Sequence, residues 1–420
     1  MEQLIANTAT NSTPWFAQQC KKLTFKTLAR IDNAYLKIND SQGSHYFGDK
    51  SCQLHAQIDI KQDSVYIDFI KQGDIGAAQA FINNKWSSPD LTKVIQLFAR
   101  NQKQLDSICN KMSWLAKLKN TLFHKKNANT EQGSKDNILA HYDLGNELYK
   151  QFLDPSMMYS SAIYSKDHAC LSSAQQNKLH KICERLELTQ SDHLLEIGTG
   201  WGGLAIYVAQ NYGCKVTTTT ISDAQHAYAK QRIKQLHLEG QVTLLREDYR
   251  KLTGKYDKLV SIEMIEAVGH EFHATFFSKC DSLLKCTGKM LLQAITIADQ
   301  RYDHYRNNVD FIQRYIFPGG CLPSIQVISK NVLESTDMVI DEVQDIGLHY
   351  AKTLQDWSDS FNSNWSEISP KGYDEQFKRL WNYYFAYCEG GFLERVISTH
   401  HVVMRKPNYK SHNDIELLAY

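Results

Sequence analysis

The sequence predicts a doubly wound α/β domain preceded by a smaller α+β unit, and three observations carry this. From residue 137 onward, short apolar runs alternate with helical stretches, the pattern of a mostly parallel sheet. Leu194, Leu195 and Ile197 form one such run, which turns through Gly198, Gly200 and Gly202 into the helical pattern Leu204–Val208. A strand that reaches a helix N-terminus through glycines lets backbone approach a ligand closely and aims free N–H groups at it. Ahead of residue 118 the pattern differs. There Leu54, Ala56, Ile58 and Ile60 alternate singly with polar residues, as half-buried strands do.

At 420 residues the chain is long enough for two domains. Lys plus Arg number 47 against 46 Asp plus Glu, so no global basic field points to nucleic acid. The ten cysteines include no C-x-x-C pair, which fits reduced thiols in a cytosolic protein better than a disulfide framework or a zinc site. The start, MEQLIANTATNSTPWF, lacks a basic segment and a long apolar core, so no signal peptide is expected. No apolar run has the length of a membrane span, and the expectation is a soluble or peripheral protein.

Taken in order, residues 1–118 form the first expected domain. Val65, Ile67 and Phe69 alternate like Leu54–Ile60, and two antiparallel strands fit both runs. From Gly73 the pattern turns helical, with Leu91, Val94, Ile95 and Phe98 making one apolar stripe. A second stripe runs through Leu105, Ile108, Met112, Leu115, Leu118 and Leu122. Around it, Lys103, Lys111, Lys117, Lys119, Lys125 and Lys126 face only Asp106, and such a basic amphipathic helix suits an anionic membrane surface. A solvated helix packed on a neighbour is the plainer reading of the same charges. Residues 119–136 form the linker, its polar part running Asn127–Asn137, and 137–420 the second domain. Its expected strands are 193–198, 215–221, 242–247, 257–264, 288–297, 337–345 and 398–405. Its expected helices fall near 171–187, 202–212, 223–237 and 270–285.

Glu196 with Gly198, Gly200 and Gly202 reads E-x-G-x-G-x-G, the first loop of an S-adenosylmethionine (SAM) methyltransferase sheet. A dinucleotide site would place a carboxylate about 20 residues on. Here Val216–Ile221, VTTTTI, ends without one. Ligands of doubly wound sheets sit beyond the carboxyl ends of the strands. That rule gathers Gly198–Gly203, Thr220–Gln225, Asp248, Glu266 and Gln293–Ile295 around one crevice.

Further stretches, with that loop, carry a specific resemblance: HYDLGNELYKQFLDPSMMYSSAIY (141–164), SIEMIEAVGH (261–270), RYIFPGGCLPS (314–324) and HYAKTL (349–354). Together they resemble the cyclopropane-fatty-acyl-phospholipid synthase and mycolic acid cyclopropane synthase family over nearly all of 137–420. Residues 1–118, with GDIGAAQAF at 73–81, resemble the N-terminal domain of the phospholipid enzymes less sharply. The resemblance implies a class I SAM-methyltransferase, Rossmann-like fold, and methyl transfer from SAM to a cis double bond of a phospholipid acyl chain. It implies that Tyr159 and Ser160 flank SAM, with Gly198 and Gly200 beneath its methionine part. Thr220 and Gln225 would lie along the cofactor, and Asp248 and Tyr249 near its adenine. It further implies a cytoplasmic enzyme, peripheral at the inner face of the membrane, that acts on unsaturated phospholipid and is compatible with a homodimer.

The chemistry has its own demands. An alkene is a poor nucleophile, and methyl transfer to it leaves a carbocation on the chain. The site must be apolar and dry, with aromatic faces and one positioned base. Tyr302, Tyr305, Phe311, Tyr315, Phe317, Tyr350, Tyr383, Tyr384, Phe385 and Tyr387 supply aromatics, Tyr350 being singled out. In the resembling family the base is a bound bicarbonate, which implies Glu266, Tyr350 and the backbone at Ile295 as its holders here. Ser161 and Gln293 stand where that family has a Cys and a His, and Ala267 where the phospholipid enzymes have a His. An amide can donate a hydrogen bond but carries no titratable proton. Altered closure, giving a methylene or methyl-branched chain, is therefore the alternative, and a non-catalytic lipid-binding protein the rival of another class. His270-Glu271-Phe272-His273 is one residue short of H-E-x-x-H. His400 and His401 fall on opposite faces of a strand, so neither pair holds a metal.

Overall fold

The computed structural model describes residues 14–102, 104–105, 129–130, 133 and 145–411. Apart from 104 and 105, the basic stretch 103–126 lies outside the described residues, as does most of the linker. The chain folds as two compact units, Met1–Leu115 with Asp374–Gly390, and Ala116–Tyr373 with Gly391–Tyr420.

The first unit holds a sheet of β1 (Tyr35–Asp40), β2 (Gly43–Gly48), β3 (His55–Ile60) and β4 (Trp86–Ser87), in the order β2-β1-β3-β4. The alternation from Leu54 becomes β3, but its longest partner, β1, runs parallel to it. The second strand expected over Val65–Phe69 is instead the start of a helix, Val65–Ile82, kinked at Gly73 with φ +56°. Three alternating positions are too few to separate the two periods, and Val65, Tyr66 and Ile67 are buried consecutively. The stripe from Leu91 forms the helix Leu91–Arg100, capped by Asp90 accepting from the Lys93 N–H. Most of the helix Glu375–Leu393 packs in this unit, where Tyr383 meets Phe81 at 5.5 Å between ring centroids. Tyr383, Tyr384, Phe385 and Tyr387 are therefore aromatics of this unit and not of the crevice, a correction to the sequence reading. Local spacing cannot reveal a segment returning from 290 residues away.

The second unit carries seven strands: β5 (His193–Ile197), β6 (Lys215–Thr219), β7 (Val242–Leu245), β8 (Tyr256–Ile262), β9 (Leu284–Ile297), β10 (Val339–Asp345) and β11 (Ile397–Arg405). Their order is β10-β11-β9-β8-β5-β6-β7. β5 to β9 pair in parallel, and β11 enters antiparallel between β9 and β10. All seven expected strands are present, and helices Leu171–Leu186, Gly203–Tyr212, Asp223–Gln235 and His273–Leu283 match the four expected. Both faces are covered, so the central strands are apolar throughout. Leu194, Val260 and Leu291 enter one core, while Leu195, Leu259 and Leu292 enter the other. The chain reverses its winding between β5 and β8, and that switch point opens the crevice. β9 outruns its neighbour: Gln293 is level with Ile262, the last residue of β8, and the strand continues to Ile297. Among the described residues, no helix is long and apolar enough to cross a membrane.

The first unit is tied by Asp40, whose inaccessible side chain accepts from Tyr66 Oη at 2.7 Å and pairs with Lys21 Nζ at 2.5 Å. Burial alone would raise its carboxyl, but Lys21, Tyr66, the Gln42 N–H and His45 hold it down at about 2. Its contribution is therefore full above the unfolded carboxylate range near pH 4 and fades as pH falls toward 2. Asp40→Asn should lower stability by about 1–3 kcal/mol at neutral pH, with the gap to the parent closing below pH 4. Fluorescence-monitored urea unfolding across that range measures it.

Candidate active site

The glycine loop forms one wall. Gly198, Gly200 and Gly202 have φ of +104°, +53° and +86°, a conformation that favours glycine. A Cβ added at Gly200 would meet nothing within 4 Å, so the loop has an open face there. At Gly203 it would lie 2.6 Å from Met158 Sδ, which fixes the start of the following helix against 156–158. The Gly198 and Thr199 N–H groups both donate to the Thr219 carbonyl, tying the loop to the end of β6. Glu196 is 3% exposed and accepts from Thr218 Oγ1, and burial pushes its carboxyl up to about 8. It braces the loop from beneath and presents no free charge to the crevice.

The other residues assigned to the cofactor follow around this edge. Beyond β6, Thr220 Oγ1 donates to Gln225 Oε1 at 2.9 Å, and Ser222 caps the next helix through the Gln225 N–H. Beyond β7, the Asp248 carboxylate takes Arg250 Nη2 at 2.6 Å and Nε at 2.8 Å, and Tyr249 packs edge-on against Phe276. Tyr159 sits among Tyr149, Trp357 and Phe317, with Trp357 nearest at 5.1 Å. Ser160 Oγ accepts from Lys178 Nζ at 2.7 Å. An open glycine loop, a helix N-terminus and polar groups at the carboxyl ends of β6 and β7 fit bound SAM.

A second cluster lies at the end of β8, and its centre is Glu263, which the sequence reading passed over. Glu263 Oε1 accepts from the Ser161 N–H at 3.0 Å and Gln293 Nε2 at 2.7 Å, and Oε2 accepts from Tyr350 Oη at 2.7 Å. Its φ of +49° is rare for a side-chain-bearing residue and stores strain of about 1–3 kcal/mol. Burial raises the Glu263 carboxyl, opposed by those three donors and by the Lys178 charge. Lys178 is wholly buried, and desolvation lowers its ammonium to about 8. The Tyr350 ring stacks on Phe392 at 4.6 Å and meets Trp357 edge-on at 6.0 Å.

Glu266 lies beside this cluster and not at its centre. Its Oε1 accepts from the Ile295 N–H at 2.5 Å, while Oε2 is buried with no partner among the described residues. Burial, then the neighbouring Glu263 charge, pushes its carboxyl up to about 8. The sequence thus brought Ser161, Gln293 and Tyr350 to one point, and Glu266 and Ile295 to another. It missed Glu263 and Lys178. An acidic residue at the first position after a parallel strand was a signal for Glu263. Lys178, inside the polar helix LSSAQQNKLHKICERL, gave none. The donors implied for bicarbonate at Ser161, Gln293 and Tyr350 all end on the Glu263 carboxylate. The residues present accordingly do not fit a separate bicarbonate.

Comparison with known proteins agrees with this architecture. The family model "Mycolic acid cyclopropane synthetase" matches residues 129–402. The cyclopropane-fatty-acyl-phospholipid synthase of Escherichia coli is 37% identical over 356 residues, covering 84% of this chain and 88% of that protein. The tuberculostearic acid methyltransferase UfaA1 of Mycobacterium tuberculosis is 34% identical over 329 residues, covering 77% of this chain and 76% of its own. The solved mycolic acid cyclopropane synthase CmaA1, complexed with SAH and CTAB, superposes with a TM-score of 0.61 at 30% identity, over 65% of this chain and 98% of that one.

The open face at Gly200 sets a test. Gly200→Val adds branched carbons there and forces a β-branched residue into a left-handed backbone. Calorimetric affinity for SAM should fall by about 10²-fold or more, roughly 3 kcal/mol, in a variant that keeps the parent's circular dichroism.

Proposed function

Because the chain belongs to the mycolic acid cyclopropane synthetase family, we propose that it transfers the SAM methyl group to a cis double bond of an unsaturated phospholipid acyl chain, with Glu263 as the base that closes the cyclopropane ring. Family membership makes the chain an enzyme, a SAM-dependent methyltransferase. The observation that carries the assignment of the base is the convergence of Ser161, Gln293 and Tyr350 on one buried carboxylate.

When bound, SAM supplies an electrophilic methyl group on a sulfonium that departs as a neutral thioether. The alkene π electrons form the new C–C bond, which leaves a cation on the adjacent chain carbon. Tyr350 stands against Glu263 with Phe392, Trp357 and Tyr159 packed in succession behind it, and this aromatic wall keeps water from that cation. Glu263 then takes a proton from the added methyl, and the electrons of that C–H bond close the ring. The carboxyl returns its proton to solvent before the next turnover. Lys178 supports the ionised base by its charge, and Tyr350 and Gln293 fix its orientation by donating to different oxygens.

Residues 1–118 serve lipid access in this reading. The helix Pro14–Leu28 exposes Trp15, Phe16 and Leu23 alongside Lys22 and Lys26, a combination suited to an anionic lipid surface. The enzyme is then peripheral, drawing its substrate from the inner face of the membrane.

Glu263→Gln should lower turnover by about 10²–10⁴-fold while SAM affinity holds, and added bicarbonate should not restore it. Proton NMR of the lipid product separates outcomes of equal mass. Cyclopropane methylene signals support the reading, whereas vinyl signals from the parent protein mean that the cation ends in a methylene branch. Full activity of Glu263→Gln would falsify Glu263 as the base.

The pH profile of kcat/KM gives a second test. Burial raises Glu263, so activity should be lost on the acid side while still above the ordinary carboxylate range. Lys178 loses its charge as pH rises through about 8, so an alkaline limb should fall there and vanish in Lys178→Met.

Docking can be checked separately. Trp15→Asp with Leu23→Asp should weaken co-sedimentation with phosphatidylglycerol vesicles several-fold, roughly 1 kcal/mol or more, and leave SAM binding intact.

A further inference from the structure

Behind the base, Gln293 is itself held from the far side of β9. Gln293 Oε1 lies 2.8 Å from His401 Nε2, and His401 Nδ1 meets Arg185 Nη1. Arg185 also pairs with Glu342 at 3.4 Å, where Glu342 is half exposed. All of these sit in the second unit, with His401 on β11 directly opposite Gln293 in the strand register. The sequence set His400-His401 aside as a strand pair without a metal. The structure separates the two: His400 Nδ1 turns the other way, to Thr296 Oγ1 at 2.9 Å.

The direction of every bond in this row follows from its first member. A guanidinium can only donate, so His401 Nδ1 must accept. The one ring proton of the neutral imidazole is then on Nε2 and is given to Gln293 Oε1. With its oxygen occupied, the amide turns Nε2 toward Glu263 Oε1, at 2.7 Å. The Ser161 carbonyl, 3.5 Å from the same Nε2, and the acceptor-only carboxylate favour this orientation from the near side, and the row from Arg185 fixes it from the far side.

We propose that Arg185 and His401 are positioning residues for the methyl-transfer site, a one-way row of hydrogen bonds that keeps the Gln293 N–H, and never its carbonyl, facing Glu263. This inference rests on the reading of Glu263 as the base. A reversed amide would set a carbonyl oxygen against the carboxylate, disfavour its ionised form and turn it from the substrate. His401 stays neutral because it is buried and faces Arg185, Lys178 and His400, so the row keeps its direction across the working pH range. The other groups around Glu263 are Tyr350 and the Ser161 N–H in contact and Lys178 acting by charge, while the Glu263 charge in turn raises the Glu266 carboxyl. None of these touches the Gln293 oxygen.

The test compares His401→Leu, Arg185→Leu and His401→Gln with the parent full-length enzyme, reading kcat/KM against pH. His401→Leu removes the donor, and the acid limb should move up by about one pH unit with kcat reduced about tenfold at neutral pH and SAM affinity unchanged. Arg185→Leu, at the partly exposed end, should move the limb the same way by less, because His401 then samples both tautomers. His401→Gln should bring the limb back toward the parent, since its amide can accept from Arg185 and donate to Gln293. An unmoved acid limb in a folded His401→Leu overturns the proposal. If that variant does not fold, an unmoved limb in Arg185→Leu does the same. The base assignment fails separately, when Glu263→Gln stays active whatever the limb does in the other variants.

Discussion

The site depends on a carboxylate buried at the end of β8 and kept ionisable there. Removing a charge from water is costly unless hydrogen bonds and a counter-charge replace the solvent. Glu263 obtains both: three donors from three separate segments, and the wholly buried Lys178 acting by charge. Each donor commits a piece of the fold. Ser161 commits the stretch before the Leu171–Leu186 helix, Gln293 commits β9, and Tyr350 commits the Gly347–Ser363 helix. The left-handed backbone at Glu263 is the local strain that lets one residue reach all three.

The sheet explains why those segments can meet. Parallel strands deliver their carboxyl ends to one edge, and the reversal of winding between β5 and β8 leaves room there. β8 stops at Ile262 while β9 runs on to Ile297, so Gln293 stands level with the strand end and Ile295 rises beyond it. The glycine loop leaves β5, the strand next to β8, so that loop and Glu263 stand on neighbouring strand ends. An offset of one residue in the β8–β9 register would turn the Gln293 side chain to the opposite face.

The second unit was legible in the sequence because its strands are continuous apolar runs separated by turn residues and helical stretches. All seven strands and the four named helices follow from that contrast alone. In the first unit the signal was weaker, and Val65–Phe69 shows why: three alternating residues fit a strand and a buried helix start equally. The site was half legible. Motif matching located Ser161, Gln293 and Tyr350, yet it assigned the acid to Glu266, three residues from the one the donors reach. Two glutamates in SIEMIEAVGH differ only in which follows a strand end directly, and no pattern of spacing expresses a left-handed φ. Lys178 was hidden for another reason. A lysine in a polar helix reads as solvated, and its burial depends on Ser160 and Glu263, which approach from other parts of the chain.

With Glu263 proposed as the base, what position 293 must be also changes. A cationic residue there would form a buried ion pair with Glu263 and pull its basicity down, which works against proton abstraction. A neutral amide orients the carboxylate without that penalty. On that proposal Gln293 is the residue a fixed carboxylate calls for. The same argument settles Ser161, whose contact is its backbone N–H and so is indifferent to the side chain. It also gives Glu266 a distinct state. Two carboxyls in one low-dielectric region cannot both ionise cheaply, and the one with three donors keeps its charge. Glu266, whose Oε2 has no partner among the described residues, is the one pushed toward its protonated form, which leaves Glu263 ionised near Lys178. Tyr350, Trp357 and Phe392 pack closely around this carboxylate, so its charge is held in apolar surroundings where it answers strongly to a positive charge formed nearby.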